Sequence, residues 1–526
     1  MNRTTSLLIL TILLPYSGPA ATIFVDKSYT GTVQNGSPQN PYTTVGAGVF
    51  FASPADLLSI HNGDYHEAAL TITKNLTLQA GGGPVTIDDH KWGRLANPGF
   101  VGKAIKSTLF FAGQPLDGTI NNNCGPVPNL TNQYTLYPID QRYLQWTDPA
   151  NRSFSVQSAV DAGINVLSMS SWGESWLPCT VPCPEVPACG CEATNCTWVP
   201  RCFHQGGDQY CRIGWYGAAN MQITPDAKNQ LFDAAVDKPI LIMPFIESRF
   251  DYDWNFHDEF PTNAQGIVAP GLISQIEDLV NVYLLHPANP QWPAKWAQVY
   301  DQQGQARYAI TIIQAASATL HQSDPGSDAV FANAFDQVEY SVFTNTGVHV
   351  GFFIDPIAQN PTSTFNCPGI QLSQTFSIYG STFKPDPIST GPFLRQAQSM
   401  LGIQCYSPEG WIDGTNAANS VTECYKIQWK MDFSQRWFQT GLPFLQDVTP
   451  GYNGLVLFAG KPGLHYWGYD DAWRGALTQL VQNYGSAGMV YNSWNGYGEG
   501  LAAMETVQLP SADTLGWLQS LTSLYP

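Results

Sequence analysis

Apolar residues between positions 22 and 89 fall in short alternating runs, at 22–26, 57–60, 69–72 and 76–80, with Gly- and Asn-containing turns between them. Alternation at that length is the mark of β-strands, so the stretch predicts a small β-rich module. Beyond Cys124 the rhythm changes. Apolar runs at 134–139, 164–169, 239–245, 309–313, 348–354, 402–406, 443–448 and 488–492 alternate with helix-period patterns at 156–162, 227–236, 272–285, 329–343, 393–400, 427–440 and 473–484. Eight strands alternating with helices predict an α/β chain closed into a parallel (β/α)8 TIM barrel. The rival, a doubly wound open sheet, would carry a Gly-rich phosphate loop after its first strand, and this sequence has none there. The expected organisation is a signal segment at 1–21, a β-rich module at 22–103, a connector at 104–133 and the barrel at 134–526, with a Cys-rich, disulfide-stapled insertion at 177–212.

The first residues change the picture from fold to compartment. Arg3 precedes the apolar run 7–14, and the small residues Ser17, Gly18, Ala20 and Ala21 follow. That is the pattern of a secretory signal, too short to span a bilayer, and no later segment offers about eighteen uninterrupted apolar residues. The chain is therefore expected to be secreted and extracellular, with no membrane partner. Its formal net charge of −18 at pH 7 also argues against nucleic acid or an anionic membrane surface. Charged residues make up only 12% and aromatics 13%, a balance that suits rings stacking on sugar faces but that an aromatic core also produces.

Eleven cysteines in a secreted chain point to disulfides, and the odd count leaves at least one thiol unpaired or paired between chains. Seven of them, Cys179, Cys183, Cys189, Cys191, Cys196, Cys202 and Cys211, crowd into the insertion. Zinc held by some of these with His204 is the alternative, but their spacing matches no standard Cys/His pattern, so neither metal nor cofactor is expected. Cys405, inside an apolar run, is the candidate free thiol. Sequons at Asn35, Asn75, Asn129, Asn151 and Asn195 fit passage through a secretory pathway.

In a TIM barrel the chemistry collects at the C-terminal ends of the strands. Those ends carry Asp140, then Trp172 and Glu174, Glu247, Asp355, Tyr406 and Glu409, Asp447 and Tyr452, and finally Trp494, Asn495, Tyr497 and Glu499. One such carboxylate alone reads as a helix cap or a surface residue. A ring of them among aromatics fits glycoside hydrolysis, which needs an acid for the leaving oxygen, a second carboxylate to attack or activate water, and flat rings to hold the sugar. Glu499, Glu247, Asp355 and Glu409 are the catalytic candidates. Trp172, Glu174, Tyr406, Asp447, Tyr452, Trp494, Asn495 and Tyr497 are the candidates for substrate contact.

The last strand and its loop read MVYNSWNGYGEG over 489–500. This segment resembles the eighth-strand signature of two groups of barrel glycosidases, the family 71 α-1,3-glucanases (W-N-D-Y-G-E-S) and the family 99 endo-α-mannosidases (N-E-W-H-E-G). The resemblance implies that two acids three residues apart carry the reaction, with Glu499 as proton donor; the other position is Gly496, which cannot activate water. Looser likenesses run through SVQSAVDAGINVLSMSSWGES, KPILIMPFIESR and PFLQDVTPGYN, and they imply that Glu247 contacts substrate. The N-terminal IFVDKSYTG, GSPQNPYTTV and ASPADLLSIHNGDYHEAALTITKNLTLQA segments resemble the opening coils of pectate-lyase-like parallel β-helices, over too short a length for a catalytic β-helix.

Two functions follow as expectations. The first is a secreted glycoside hydrolase acting on a polysaccharide or glycan through mouth carboxylates. The second is a non-catalytic carbohydrate-binding or cell-surface protein on a degenerate hydrolase barrel, the reading that Gly496 favours.

Overall fold

The computed structural model describes residues 20–31, 33–67, 70, 72–88, 91–111, 136, 138–146, 148–171, 200–205, 208–213, 223–247, 270–313, 327–355, 387–404, 430–431, 433–453, 465–466, 471–497, 501–510 and 513–525. They form two compact units, divided at Asp88 and Asp89.

The first unit is a three-stranded parallel sheet in which β1 (Thr22–Val25), β2 (Leu57–His66) and β3 (Thr77–Asp88) pair in sequence order. A short helix, Val45–Phe51, covers it, and Val25, Leu58, Ile60, Val45 and Val49 form its core. Both helix ends are closed by opposite charges. The Glu67 carboxylate accepts from the N–H groups of Val45 (2.6 Å) and Gly46 (3.1 Å), while Lys74 Nζ donates to the carbonyls of Val49, Phe50 and Ala52. Each charge meets the helix end whose orphan groups and dipole favour it.

The second unit is a closed barrel. Its strands are β4 (Ile105–Phe110), β5 (Val166–Ser171), β8 (Leu241–Glu247), β10 (Ala306–Ile313), β11 (Val350–Ile354), β12 (Met400–Gln404), β13 (Phe444–Val448) and β16 (Gly488–Tyr491). All neighbouring pairs are parallel, and pairing of β16 with β4 and of β10 with β11 closes the circle. One helix follows each strand: Pro149–Asp161, Ile223–Ala235, Pro270–Tyr283, Ser327–Thr346, Pro387–Leu394, the stretch 433–439, Asp471–Tyr484 and Thr514–Thr522. The expected (β/α)8 barrel is the fold observed.

Outside the circle, β9 (Gln298–Tyr300) pairs antiparallel with β10, and short two-stranded ribbons join β6 (Pro200–Gln205) to β7 (Asp208–Ile213) and β14 (Tyr452–Asn453) to β15 (His465–Tyr466). The β6–β7 ribbon belongs to the Cys-rich insertion and sets Cys202 opposite Cys211 in register. Most of that insertion, and Cys405, lie outside the described residues.

The first strand is not where the apolar pattern put it. Of 134–139 only Leu136, Pro138 and Ile139 are described, and Pro138 makes an isolated bridge to Thr506; the first barrel strand is β4, inside the stretch read as a connector. Two buried hydroxyl residues disguise it. Ser107 Oγ meets Ser168 Oγ at 2.6 Å, and Thr108 Oγ1 donates to the Tyr491 carbonyl at 3.1 Å, so both are satisfied within the fold. The segment just before β4 is also part of this unit, since Leu95 joins Ala297 and Val299 in the cluster that packs with Ile105, Val166, Leu241, Ala309, Phe353, Leu401 and Leu445.

Candidate active site at the barrel mouth

Side chains alternate along a strand, so one buried inward residue fixes the face of its neighbours two positions away. Phe353 and Leu445 belong to the barrel-core cluster, which places Asp355 and Asp447 on the inward face at the C-terminal ends of β11 and β13. Val490 packs with Leu109, Phe111 and Phe245, which puts Asn492 on the inward face as β16 ends. Gln404 ends β12 and accepts from Thr311 Oγ1 at 3.0 Å. Glu247 is the last residue of β8, paired in register with Ile313 of β10. The mouth is thus asymmetric. Strands β4 and β8 supply an aromatic wall, with Phe111 edge-on to Phe245 at 6.0 Å between centroids, while β11, β12, β13 and β16 supply a polar arc.

Asp447 is fully buried and held on two sides. Lys430, itself buried at the start of the helical turn before β13, forms an ion pair with its Oδ2, and Thr449 Oγ1 lies 2.9 Å from that oxygen and 3.2 Å from Oδ1. A buried carboxylate needs such compensation. Asp355 is also fully buried, and its backbone N–H donates to Ile312 at 2.8 Å, which continues the β10–β11 pairing to the residue itself.

The segment after β16 packs against the end of β4 and the helix that follows it. Trp494 is buried, sits edge-on to Tyr143 and donates through Nε1 to Ser155 Oγ at 3.1 Å, on the helix after β4. Asn495 accepts from the Phe111 N–H at 2.9 Å and donates to the Phe111 carbonyl at 3.0 Å. Tyr497 is buried with its hydroxyl 3.1 Å from Met504 Sδ. All three rings or amides expected to touch sugar are therefore turned to packing and to latching the last strand onto the first. Gly496 is tightly enclosed: a Cβ there would lie 2.4 Å from Ser493 Oγ, 3.2 Å from Leu501 Cβ and 3.3 Å from the Phe111 ring. The same Ser493 Oγ accepts from the Gly496 N–H at 2.8 Å. A side chain at this position, where the resemblance would put a second acid, has to displace Ser493 Oγ and press on Leu501 and Phe111.

Glu499, Glu409, Trp172, Glu174 and Tyr406 lie outside the described residues, as do the side chains of Glu247 and Tyr452. Asp140 lies away from any strand end, capping the turn Gln141–Leu144 and paired with Arg142 at 2.6 Å, which lowers the Asp140 pKa. Among the described residues no group of three or more His, Cys, Asp or Glu could hold a metal ion, and no helix is long and apolar enough to cross a membrane.

No family model matches the chain. No curated protein matches it either. Among solved structures, a family 99 endo-α-mannosidase from Bacteroides thetaiotaomicron is similar over 80% of this chain and 97% of its own, at 14% identity and a TM-score of 0.43. A glycoside hydrolase-like protein covers 85% of this chain and 97% of its own at 11% identity and a TM-score of 0.46. The catalytic domain of the major endoglucanase from Xanthomonas campestris pv. campestris covers 82% and 99% at 12% identity and a TM-score of 0.40. At that degree of superposition the barrel rests on this chain's own strand pairings.

Sequence reasoning missed Lys430, Gln404 and Asn492. Lys430 precedes its partner by a whole helix, so nothing local ties them. Gln404 and Asn492 lie within apolar strand patterns, and their inward face follows only from the Gln404 bond to Thr311 and from Val490 in the core.

Proposed function

We propose that this chain is a secreted glycoside hydrolase acting on a polysaccharide or glycan, with Glu499 as the proton donor and a second carboxylate from Glu247, Asp355 or Glu409. What supports the reading is that β8 ends on Glu247, that Asp355 directly follows β11 as a buried inward carboxylate, and that Glu499 follows β16 by eight positions in the sequence. Glycoside hydrolysis needs such a pair, set roughly 5–5.5 Å apart for retention or 6.5–9.5 Å for inversion. Asp447 is the weaker partner, because its carboxylate already compensates Lys430. Secretion is supported by the signal-like segment at 1–21, and N-terminal sequencing of the exported protein tests it. The activity is tested by reducing-end release from α-1,3-glucan and from α-mannan by the purified protein.

A second reading has its own observation. Gly496 leaves the usual partner position without an acid, in a spot crowded by Ser493, Leu501 and Phe111, which favours a carbohydrate-binding protein on a degenerate barrel. Binding to either glycan with no product would support it.

A further inference from the structure

Asn492 is fully buried, and neither its Oδ1 nor its Nδ2 has a hydrogen-bond partner among the described residues. A primary amide can donate twice and accept twice, and leaving it dry and unpaired is costly, so native structures seldom do so without a ligand or an ordered water to fill the gap. Its place is well defined. The Asn492 N–H donates to the Val448 carbonyl at 2.8 Å, so strand pairing runs through it and its side chain takes the face of Val490, above the Leu109, Phe111 and Phe245 wall.

The inward-facing acid on the next strand and the polar side chains that follow Asn492 in the chain are already engaged. Asp447 holds Lys430 and Thr449, Ser493 Oγ takes the Gly496 N–H, and the Asn495 amide is closed on Phe111. Asn495, three residues on, differs in having its amide closed on both the N–H and the carbonyl of Phe111.

We infer that the Asn492 carboxamide is a ligand-contacting group for a neutral, hydroxyl-bearing ring, accepting from one hydroxyl and donating to the next. Neutrality follows from the surroundings: the nearest charge on the adjoining strand, Asp447, is balanced by Lys430, and the wall on the other side is apolar and suits the C–H face of a sugar. The inference rests on the carbohydrate reading above and adds to it a named contact from the last strand.

The test replaces Asn492 by Leu, which keeps the size and removes both polar atoms, with Asn492→Ala as a second variant. The measurements are the melting temperature without ligand, and the affinity for an α-1,3-linked glucose tetrasaccharide and an α-linked mannose tetrasaccharide. A ligand-contacting amide predicts that the Leu variant melts within about 2 °C of wild type or higher, because an unpaired polar group has been removed. It also predicts that both variants lose about tenfold to a hundredfold in affinity for whichever tetrasaccharide wild type binds. A clear fall in melting temperature for the Leu variant with affinity intact would show an amide already paired by water, and would overturn the inference. So would wild-type binding of neither sugar. Product release is scored separately: binding by wild type without cleavage sinks the hydrolase reading, while the affinity ratio still decides the role of Asn492.

Discussion

The side chain of Asn495 closes on the backbone of Phe111, accepting from its N–H at 2.9 Å and donating to its carbonyl at 3.0 Å. This two-point clasp joins the loop after the last barrel strand to the end of the first, where the circle of strands is completed. Replacing Asn495 by Leu leaves two buried main-chain groups unpaired and is expected to lower stability by about 2–4 kcal/mol. Urea unfolding measures it, and a loss below a few tenths of a kcal/mol would mean that the clasp does not hold the barrel closed.

The Lys430–Asp447 pair should be strongly non-additive. Lys430→Met strands a buried carboxylate and is expected to cost about 3–5 kcal/mol. Replacing both partners, as Lys430→Met with Asp447→Leu, should cost less than that single change. A double-mutant cycle in urea checks this, and simple additivity would show that the two groups do not depend on each other.

Gly488 opens β16 with φ near 141°, and a Cβ there would lie 1.8 Å from the Ile105 carbonyl of β4. Neither conformation nor space admits a side chain, so Gly488→Ala is expected to lose about 3 kcal/mol or more. Thermal unfolding that matches wild type would contradict the close approach of these two strands.

Restoring an acid at position 496 should not create a catalyst. Gly496→Glu must displace Ser493 Oγ from its bond to the backbone and press on Leu501 and Phe111. A lower melting temperature with no gain in glycan cleavage is expected. A rise in turnover would show that the missing acid had been the deficiency.

The outer architecture was legible because it depends on apolar periodicity, which survives in seven of the eight strands and in six of the seven expected helices; the pattern at 393–400 shares only two residues with the observed helix Pro387–Leu394, because Met400 already opens β12. The run predicted at 348–354 is β11 (Val350–Ile354), and that at 443–448 is β13 (Phe444–Val448), each within two residues. What periodicity cannot express is a polar residue satisfied across the fold. Ser107 and Thr108 broke the apolar run of β4, and their partners Ser168 and Tyr491 are 61 and 383 residues away. The last helix, Thr514–Thr522, went unread although Trp517 packs edge-on against Tyr491. The same limit governs the site. The strand-end positions of Glu247, Asp355 and Asp447 could be read, whereas the commitment of Trp494 to Ser155 and of Asn495 to Phe111 could not, because both partners lie more than 300 positions earlier.

Cleavage by a Glu499→Gln variant tests the central claim most directly. Wild type is expected to release reducing ends from α-1,3-glucan or α-mannan, and the variant, folded and binding the same glycan, to lose about a hundredfold or more in turnover for want of its proton donor. Turnover equal to wild type would contradict the account.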